Sequence, residues 1–170
     1  SSITELDLSG WKLKALPPEL GKLQALRKLN LSINQLKAIP AKLGGLTSLT
    51  ELYLHWNQLS TVPAALGQLR SLTYLNLSAN QLTTVPPELG GLGALNYLVL
   101  SGNQLTEVPP ELGQLSSLTY LNLSANQLTA IPAALGGLEA LIYLDLSKNP
   151  SLRTMPPQWL RKRNWSSLDI

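Results

Sequence analysis

The segment from Leu72 to Ala94, LTYLNLSANQLTTVPPELGGLGA, decides the fold of this chain, because nearly every other segment repeats it at a multiple of 23 residues. Leucine or isoleucine opens seven such units, at Ile3, Leu26, Leu49, Leu72, Leu95, Leu118 and Leu141. A fixed period of this length is typical of a solenoid, in which each unit completes its core by packing on its neighbours. We therefore expect one continuous stacked structure.

The first half of each unit has the pattern of a short strand. In the quoted unit, Leu75 and Leu77 alternate with polar residues, which predicts one buried and one exposed face. An asparagine follows each strand, where its amide can pair with backbone groups that a turn leaves open. The sequence therefore predicts a structural role for this column, which contains Asn34, Asn57, Asn80, Asn103, Asn126 and Asn149.

The second half of each unit has the pattern of a short helical turn. Pro86 and Pro87 favour a helix start or an extended backbone, and the three-residue spacing of Leu89 and Leu92 fits one or two helical turns. The pair Gly90–Gly91 is expected to end the helix.

Together these residues follow L-x-x-L-x-L-x-x-N-x-L-x-x-[IV]-P-x-x-L-G-x-L-x-x, a pattern that resembles the leucine-rich repeat. Its proline recurs in all seven units, at Pro17, Pro40, Pro63, Pro86, Pro109, Pro132 and Pro156. The repeat length with Ile-Pro and Leu-Gly is similar to repeats of Ras-suppressor-type scaffolds and Roco GTPases, and to plant receptor repeats shortened by one residue. The resemblance implies an α/β fold: a right-handed curved solenoid with a parallel β-sheet on the concave face and short helices or turns on the convex face.

We expect residues 1–170 to form a single domain, with repeats starting near residues 3, 26, 49, 72, 95, 118 and 141 and a partial eighth strand at 165–170. Neither end has a standard cap. Trp11 takes the first unit's asparagine position and is predicted to fold over the first repeat as a lid. Trp159 and Trp165 are predicted to cover the other end. Ends closed in this improvised way predict a monomer or weak self-association.

Composition excludes several classes of protein. The chain has no cysteine, which removes disulfides, thiolate metal sites and a cysteine nucleophile. Extracellular members of the family that the chain resembles usually carry disulfide-bonded caps, so we expect a cytoplasmic protein. No apolar run approaches the roughly 18 residues of a membrane span, and the first residues do not form a signal peptide. Glycosylation at Asn30, Asn76, Asn122 or Asn164 would matter only in a secreted protein.

The net charge of +3 conceals a segregation of charge along the chain. Residues 1–49 hold seven Lys or Arg and three acids, residues 50–147 hold Arg70 and six acids, and residues 148–170 hold five Lys or Arg and one acid. Nucleic-acid binding requires a continuous basic surface, and these cations are divided between the two ends. We interpret them as a solvated surface and expect no nucleic-acid partner.

One exposed column of the predicted sheet is rich in aromatic residues. It begins with Glu5, Lys28 and Glu51 and continues as Tyr74, Tyr97, Tyr120 and Tyr143. Parallel sheets normally have both faces covered, whereas this face is predicted to stay open. Stacked tyrosines can stabilise one another across strands or contact a partner, and both interpretations remain open.

The third unit departs most from the consensus on the same face. Tyr53, His55 and Trp56 stand where most other units have Asn, Ser and Ala or Gly, and Ile33 lies one strand away. We predict a partner-binding hot spot here. His55 lacks a second metal ligand or a catalytic partner at a suitable spacing, so we expect no metal, no cofactor and no catalytic residue.

The sequence therefore predicts a non-catalytic module that binds a protein or peptide through the concave face, at Ile33, Glu51, Tyr53, His55, Trp56, Tyr74, Tyr97, Tyr120 and Tyr143. One alternative is a regulatory segment of a larger protein such as a Roco GTPase or a receptor. Another is a consensus-like designed scaffold, because Ser71–Thr83 is identical to Ser117–Thr129.

Overall fold

A computed structural model describes residues 2–161 and 167–169 of the chain. Its strands form one parallel sheet in which each strand pairs with the next in sequence. They are β1 (Glu5–Asp7), β2 (Lys28–Asn30), β3 (Glu51–Tyr53), β4 (Tyr74–Asn76), β5 (Tyr97–Val99), β6 (Tyr120–Asn122), β7 (Tyr143–Asp145) and β8 (Ser167–Asp169). Successive strands pair residues 23 apart, except that Tyr143 pairs with Ser167 because one residue is inserted after Asn149.

Each of the strands β1 to β7 is followed by a turn and then by a short helix on the opposite side of the unit. Six of these are 3₁₀ helices of five residues: Pro18–Lys22, Ala41–Gly45, Ala64–Gln68, Pro87–Gly91, Pro110–Gln114 and Ala133–Gly137. The seventh is an α-helix, α1, at Pro157–Arg161. The two prolines of the quoted unit take different roles, since Pro86 is extended at φ −68° and ψ 140° while Pro87 begins the helix. The predicted arrangement of a parallel sheet opposite short helices is confirmed.

The helix ends at Gly91, at the predicted pair, although both glycines lie within Pro87–Gly91 and the cap residue is Leu92. A Cβ at Gly90 would overlap the main-chain carbonyl of Glu111 in the next unit. Gly90 is therefore required because adjacent helices approach each other too closely for a side chain.

The core is a continuous stack of leucines between the sheet and the short helices. Leu75 and Leu77 are fully buried, whereas Asn76 between them is half-buried. The alternation therefore points the leucines inward and leaves the polar column on the open face, as predicted.

The asparagine that follows each strand joins neighbouring units through its side chain. Asn80 Oδ1 accepts from the Leu59 N–H at 3.0 Å, and Asn80 Nδ2 donates to the carbonyls of Leu54 and Leu77 at 3.0 and 3.1 Å. The other five asparagines of the column repeat these bonds, and all six are buried. The predicted structural role of the column is confirmed.

The first unit holds Trp11 in place of this asparagine. The prediction that Trp11 forms a lid is wrong, because its side chain is 67% exposed while Leu6 and Leu8 remain only half-buried. An indole closing the end would lie against those leucines.

At the other end, Trp159 in α1 is 2% exposed and belongs to the core, so it closes the stack as predicted. Trp165, predicted to join it, lies outside the described residues. Within the described ranges, no helix is long and apolar enough to cross a membrane.

Candidate functional site on the open face of the sheet

The open face carries a row of five tyrosine rings in contact, which we call the tyrosine row: Tyr53, Tyr74, Tyr97, Tyr120 and Tyr143. Successive ring centroids are separated by 4.8, 5.9, 5.2 and 4.1 Å, and the last two rings are parallel. Four of these residues form the predicted column, and Tyr53 extends it from the neighbouring column because its ring meets Tyr74. The structure thus brings the five predicted tyrosines into one surface.

Glu51 and Lys28 lie at one end of the tyrosine row. The Tyr53 hydroxyl donates to Glu51 Oε2 at 2.7 Å, and Lys28 Nζ lies 3.5 Å from the same oxygen. Lys28 Nζ also lies 5.5 Å from the centre of the Tyr53 ring. Burial, followed by the hydrogen bond to Glu51, raises the pKa of Tyr53 to about 12, so its hydroxyl stays a donor at neutral pH. The sequence places Lys28 beside Glu51 in the exposed column, but it does not predict the contact of Lys28 with the ring.

The polar columns beside the tyrosine row have a repeated local structure. In β4, Asn76 Oδ1 accepts from the Ser78 N–H at 3.0 Å and from the Ser78 hydroxyl at 2.7 Å. Three further Asx–Ser pairs make the same two bonds, at Asn30, Asn122 and Asp145. This turn motif fixes the end of the strand, so these residues serve the fold.

The third unit replaces both members of this pair, with Tyr53 for the Asx and His55 for the serine. The His55 ring meets Tyr53 edge-on at 6.2 Å, and its Nδ1 is buried without a hydrogen-bond partner among the described residues. Burial lowers the pKa of His55, because a charged imidazolium would lose hydration there. The surroundings of His55 therefore favour the neutral imidazole over the charged form.

Ile33 and Trp56 occupy one column at the turns that follow β2 and β3, and both have a left-handed backbone with φ of 57°. All seven residues of the column have positive φ: Gly10, Ile33, Trp56, Ala79, Gly102, Ala125 and Lys148. This conformation costs a side-chain-bearing residue about 1–2 kcal/mol and is most unusual for a β-branched one. Ile33 is nevertheless 59% exposed and Trp56 65% exposed, so Trp56 does not shield Ile33 from solvent.

The described residues hold no group of three His, Cys, Asp or Glu that could bind a metal ion. The candidate site is an aromatic and apolar surface that also holds the carboxylate of Glu51, the ammonium of Lys28 and the imidazole of His55. Such a surface can bury area and form hydrogen bonds with a partner.

The sequence matches the family described as Leucine rich repeat over residues 1–59, 60–105, 70–128, 93–150 and 117–162. These segments together cover nearly the whole chain. The chain is a leucine-rich repeat protein.

Several solved structures are similar to this leucine-rich repeat protein. A leucine-rich repeat protein of Leptospira interrogans is 34% identical, with a TM-score of 0.86 over 93% of this chain and 40% of its own length. The ectodomain of the Arabidopsis thaliana receptor kinase GASSHO1/SCHENGEN3 is 36% identical, with a TM-score of 0.81 over 94% of this chain and 20% of its own. A plant peptide hormone receptor, RGFR1, is 28% identical, with a TM-score of 0.75 over 92% of this chain and 30% of its own.

This chain therefore spans well under half the length of these structures. A comparison with curated proteins gave no significant match. The family and fold are typical of non-catalytic interaction modules.

Proposed function

We propose that this chain is a non-catalytic module that binds a protein or peptide partner through the open, concave face of its sheet. The observation that carries the proposal is the tyrosine row, five aromatic rings in contact on a sheet face that packs against no other described element. Tyrosine is enriched in interfaces, because it offers a large area of contact at a low entropic cost.

The third unit supplies the centre of the proposed site. Ile33 and Trp56 are large, exposed and held in a strained backbone conformation, although Ala79 and Ala125 show that a small residue suffices in the same column. Strain that folding does not require is a reason to look for a function at that position. We assign Ile33, Tyr53, His55 and Trp56 to the hot spot, and Glu51 with the remaining tyrosines to the surrounding contact surface.

Similar structures support a peptide or protein as the partner. The plant receptor kinase ectodomain is in complex with CASPARIAN STRIP INTEGRITY FACTOR 2, and RGFR1 is a peptide hormone receptor in complex with RGF2. The competing explanation is that the tyrosines only stabilise one another, at roughly 0.2–1 kcal/mol per pair. Stabilisation of this kind accounts for the tyrosine row but not for Trp56 or Ile33, whose exposure adds nothing to the core.

The experiment is affinity capture on the immobilised chain, with the retained proteins identified by mass spectrometry. The double variant Tyr53→Asn/Trp56→Ala restores residues that other units carry, so it should fold while weakening capture by about 2 kcal/mol or more. A matched variant changes Tyr97 and Tyr120 to asparagine. Capture that survives the first variant and is lost with the second would move the hot spot to Tyr97 and Tyr120. Capture that neither variant weakens would refute binding through this face.

The fraction of each similar structure that this chain covers favours one further possibility, that it is a segment of a larger receptor or regulatory protein. Any enzymatic activity of such a protein would belong to another segment. A cytoplasmic location remains a prediction, and one of the similar structures is a receptor ectodomain.

A further inference from the structure

We propose that a depression on the open face, between β3 and β5, binds a basic side chain of the partner peptide. The inference rests on the proposed function and adds the chemistry of the ligand. The depression has a volume of about 250 Å³ and is lined by Glu51, Tyr53, Thr73, Tyr74, Asn96 and Tyr97. The depression lies within the surface proposed to bind the partner. Its lining predicts which class of residue the partner must carry.

The lining combines the groups that attract a cation. Three tyrosine rings and one carboxylate surround the depression, and none of its lining residues is cationic. An ammonium or guanidinium is attracted both by the electron-rich face of an aromatic ring and by a carboxylate. An anionic ligand would meet the charge of Glu51 instead.

The chain itself shows that this carboxylate and ring accept an ammonium. Lys28 Nζ lies 3.5 Å from Glu51 Oε2 and 5.5 Å from the centre of the Tyr53 ring. Lys28 comes from β2, on one side of β3, whereas the depression reaches Glu51 from the side of β4 and β5. A second cation can therefore approach the same pair from the opposite side.

The rest of the lining is held in place by the fold. Asn96 Nδ2 donates to the Ser117 carbonyl at 2.7 Å, and the Thr73 hydroxyl donates to the Thr50 carbonyl at 3.0 Å. The walls therefore have a fixed shape before a ligand arrives, which lowers the entropic cost of binding.

The nearby basic residues do not oppose a cationic ligand. Between residues 50 and 147 the sequence holds one basic residue, Arg70. The Arg70 guanidinium donates to the Gly91 carbonyl at 2.7 Å, on the helical side of the unit and away from the sheet. Lys28 is then the cation that competes for Glu51.

The test begins with selection of unstructured peptides of about 12 residues, long enough at roughly 3.3 Å per residue to cross the sheet. The selected peptides should require a Lys or Arg. Changing that residue to Gln should weaken binding to the wild-type chain about tenfold, or about 1.4 kcal/mol. The same change should have little effect on binding to Glu51→Gln, because the carboxylate is already gone.

Two further variants sharpen the result. Asp145→Asn removes a carboxylate from the same face. It introduces the residue type found at the paired position of the neighbouring strand, Asn122, so this variant should bind the peptide like the wild type. Lys28→Gln removes the competing ammonium and should bind the basic peptide several-fold more tightly. Thermal unfolding of each variant checks that the fold is kept.

Three outcomes would overturn the inference. In the first, the selected peptides contain no basic residue whose effect on binding depends on Glu51. In the second, Asp145→Asn weakens peptide binding as much as Glu51→Gln does. In the third, Lys28→Gln binds the basic peptide more weakly than the wild type. In each case, peptides that still depend on Tyr53 and Trp56 would leave the proposed function standing. If no change on the open face alters the affinity of the selected peptides, the proposed function itself would be refuted.

Discussion

The Asn80 side-chain amide donates a hydrogen bond to the main-chain carbonyl of Leu54, 26 residues earlier, at 3.0 Å. With its bonds to Leu59 and Leu77, it satisfies three backbone groups in two consecutive units. Asn80→Ala would leave the buried Leu59 N–H without a partner. It would also remove one of two donors from the Leu54 and Leu77 carbonyls, which Asn57 and Asn103 still reach. We expect a loss of about 1–3 kcal/mol in the free energy of unfolding, measured by chemical denaturation.

Asn76→Ala is the matched control, because Asn76 belongs to the same unit and lies on the open face. The sequence alone predicts almost no effect, which the structure corrects, since Asn76 Oδ1 accepts two hydrogen bonds from Ser78. These bonds are only partly buried, so we expect a smaller loss of about 0.5–1.5 kcal/mol. Equal losses at the two positions would contradict the structural role assigned to Asn80.

Gly90 tests the close approach of neighbouring helices. Gly90→Ala would place a Cβ against the Glu111 carbonyl, and main chain cannot move aside as easily as a side chain. We expect it to destabilise the protein by about 1–3 kcal/mol, the range for overpacking. Gly93→Ala is the control, because a Cβ there meets nothing within 4 Å. Thermal unfolding of both variants would show whether the cost depends on the approach of the next unit.

Much of the fold follows from the sequence, because period and alternation act in every unit. The 23-residue period predicts the strand register, and the alternation predicts which leucines are buried. The asparagine column predicts where the turns lie. The role of Gly90 was not predictable from one unit, because the atom that excludes a side chain belongs to Glu111 in the next unit. The exposure of Trp11 was not predictable either, because the sequence does not show whether the indole lies against Leu6 and Leu8 or faces solvent.

Ile33 and Trp56 should reduce stability through their left-handed backbone. Ile33→Gly or Trp56→Gly relieves a strain of about 1–2 kcal/mol and loses about 0.5–1 kcal/mol to the greater entropy of glycine in the unfolded chain. Both side chains are mostly exposed, so little packing is lost. We expect each variant to be more stable than the wild type by up to about 1 kcal/mol, measured by chemical denaturation.

The reverse change in the same column is the control. Gly102 has φ of 65° and room for a Cβ, so Gly102→Ala adds strain without a clash and should destabilise. If Trp56→Gly is more stable than the wild type but no longer binds the partner, the wild-type residue lowers stability in favour of binding. A destabilised Trp56→Gly would instead mean that the indole supports the fold.

The candidate site was predictable in its members but not in its geometry. The tyrosine column and the unusual residues of the third unit stand out against a repeating background. The strain at Ile33 and Trp56 had a signal in the sequence, since Gly10 and Gly102 share their column. The contact of Lys28 with Tyr53 had none, because it depends on how two long side chains lie across two strands.

His55 should make stability depend on pH. Burial holds its folded pKa below the unfolded value of 6.5, so below pH 6.5 the unfolded chain binds a proton more readily than the folded one. Stability is therefore lost as pH falls from 6.5 towards the folded pKa, and above 6.5 the effect vanishes. His55→Ser restores the consensus residue and should lose less stability than the wild type as the pH falls below 6.5. Parallel curves for the two proteins in denaturant titrations would show that His55 is solvated in the folded state.

The exposed first repeat predicts weak self-association of the 170-residue chain. Ile3 and Trp11 are 46% and 67% exposed, Leu6 and Leu8 are half-buried, and β1 is an edge strand. Apolar surface beside an open strand edge favours pairing with a second copy, and a lysine at such an edge opposes it. Sedimentation should therefore show a mass that rises with concentration, and Ile3→Lys should reduce the rise without affecting the fold, since Ile3 contributes little to the core. A wild-type chain that sediments as a monomer at every concentration would show that the exposed area at this end is too small to hold two copies together.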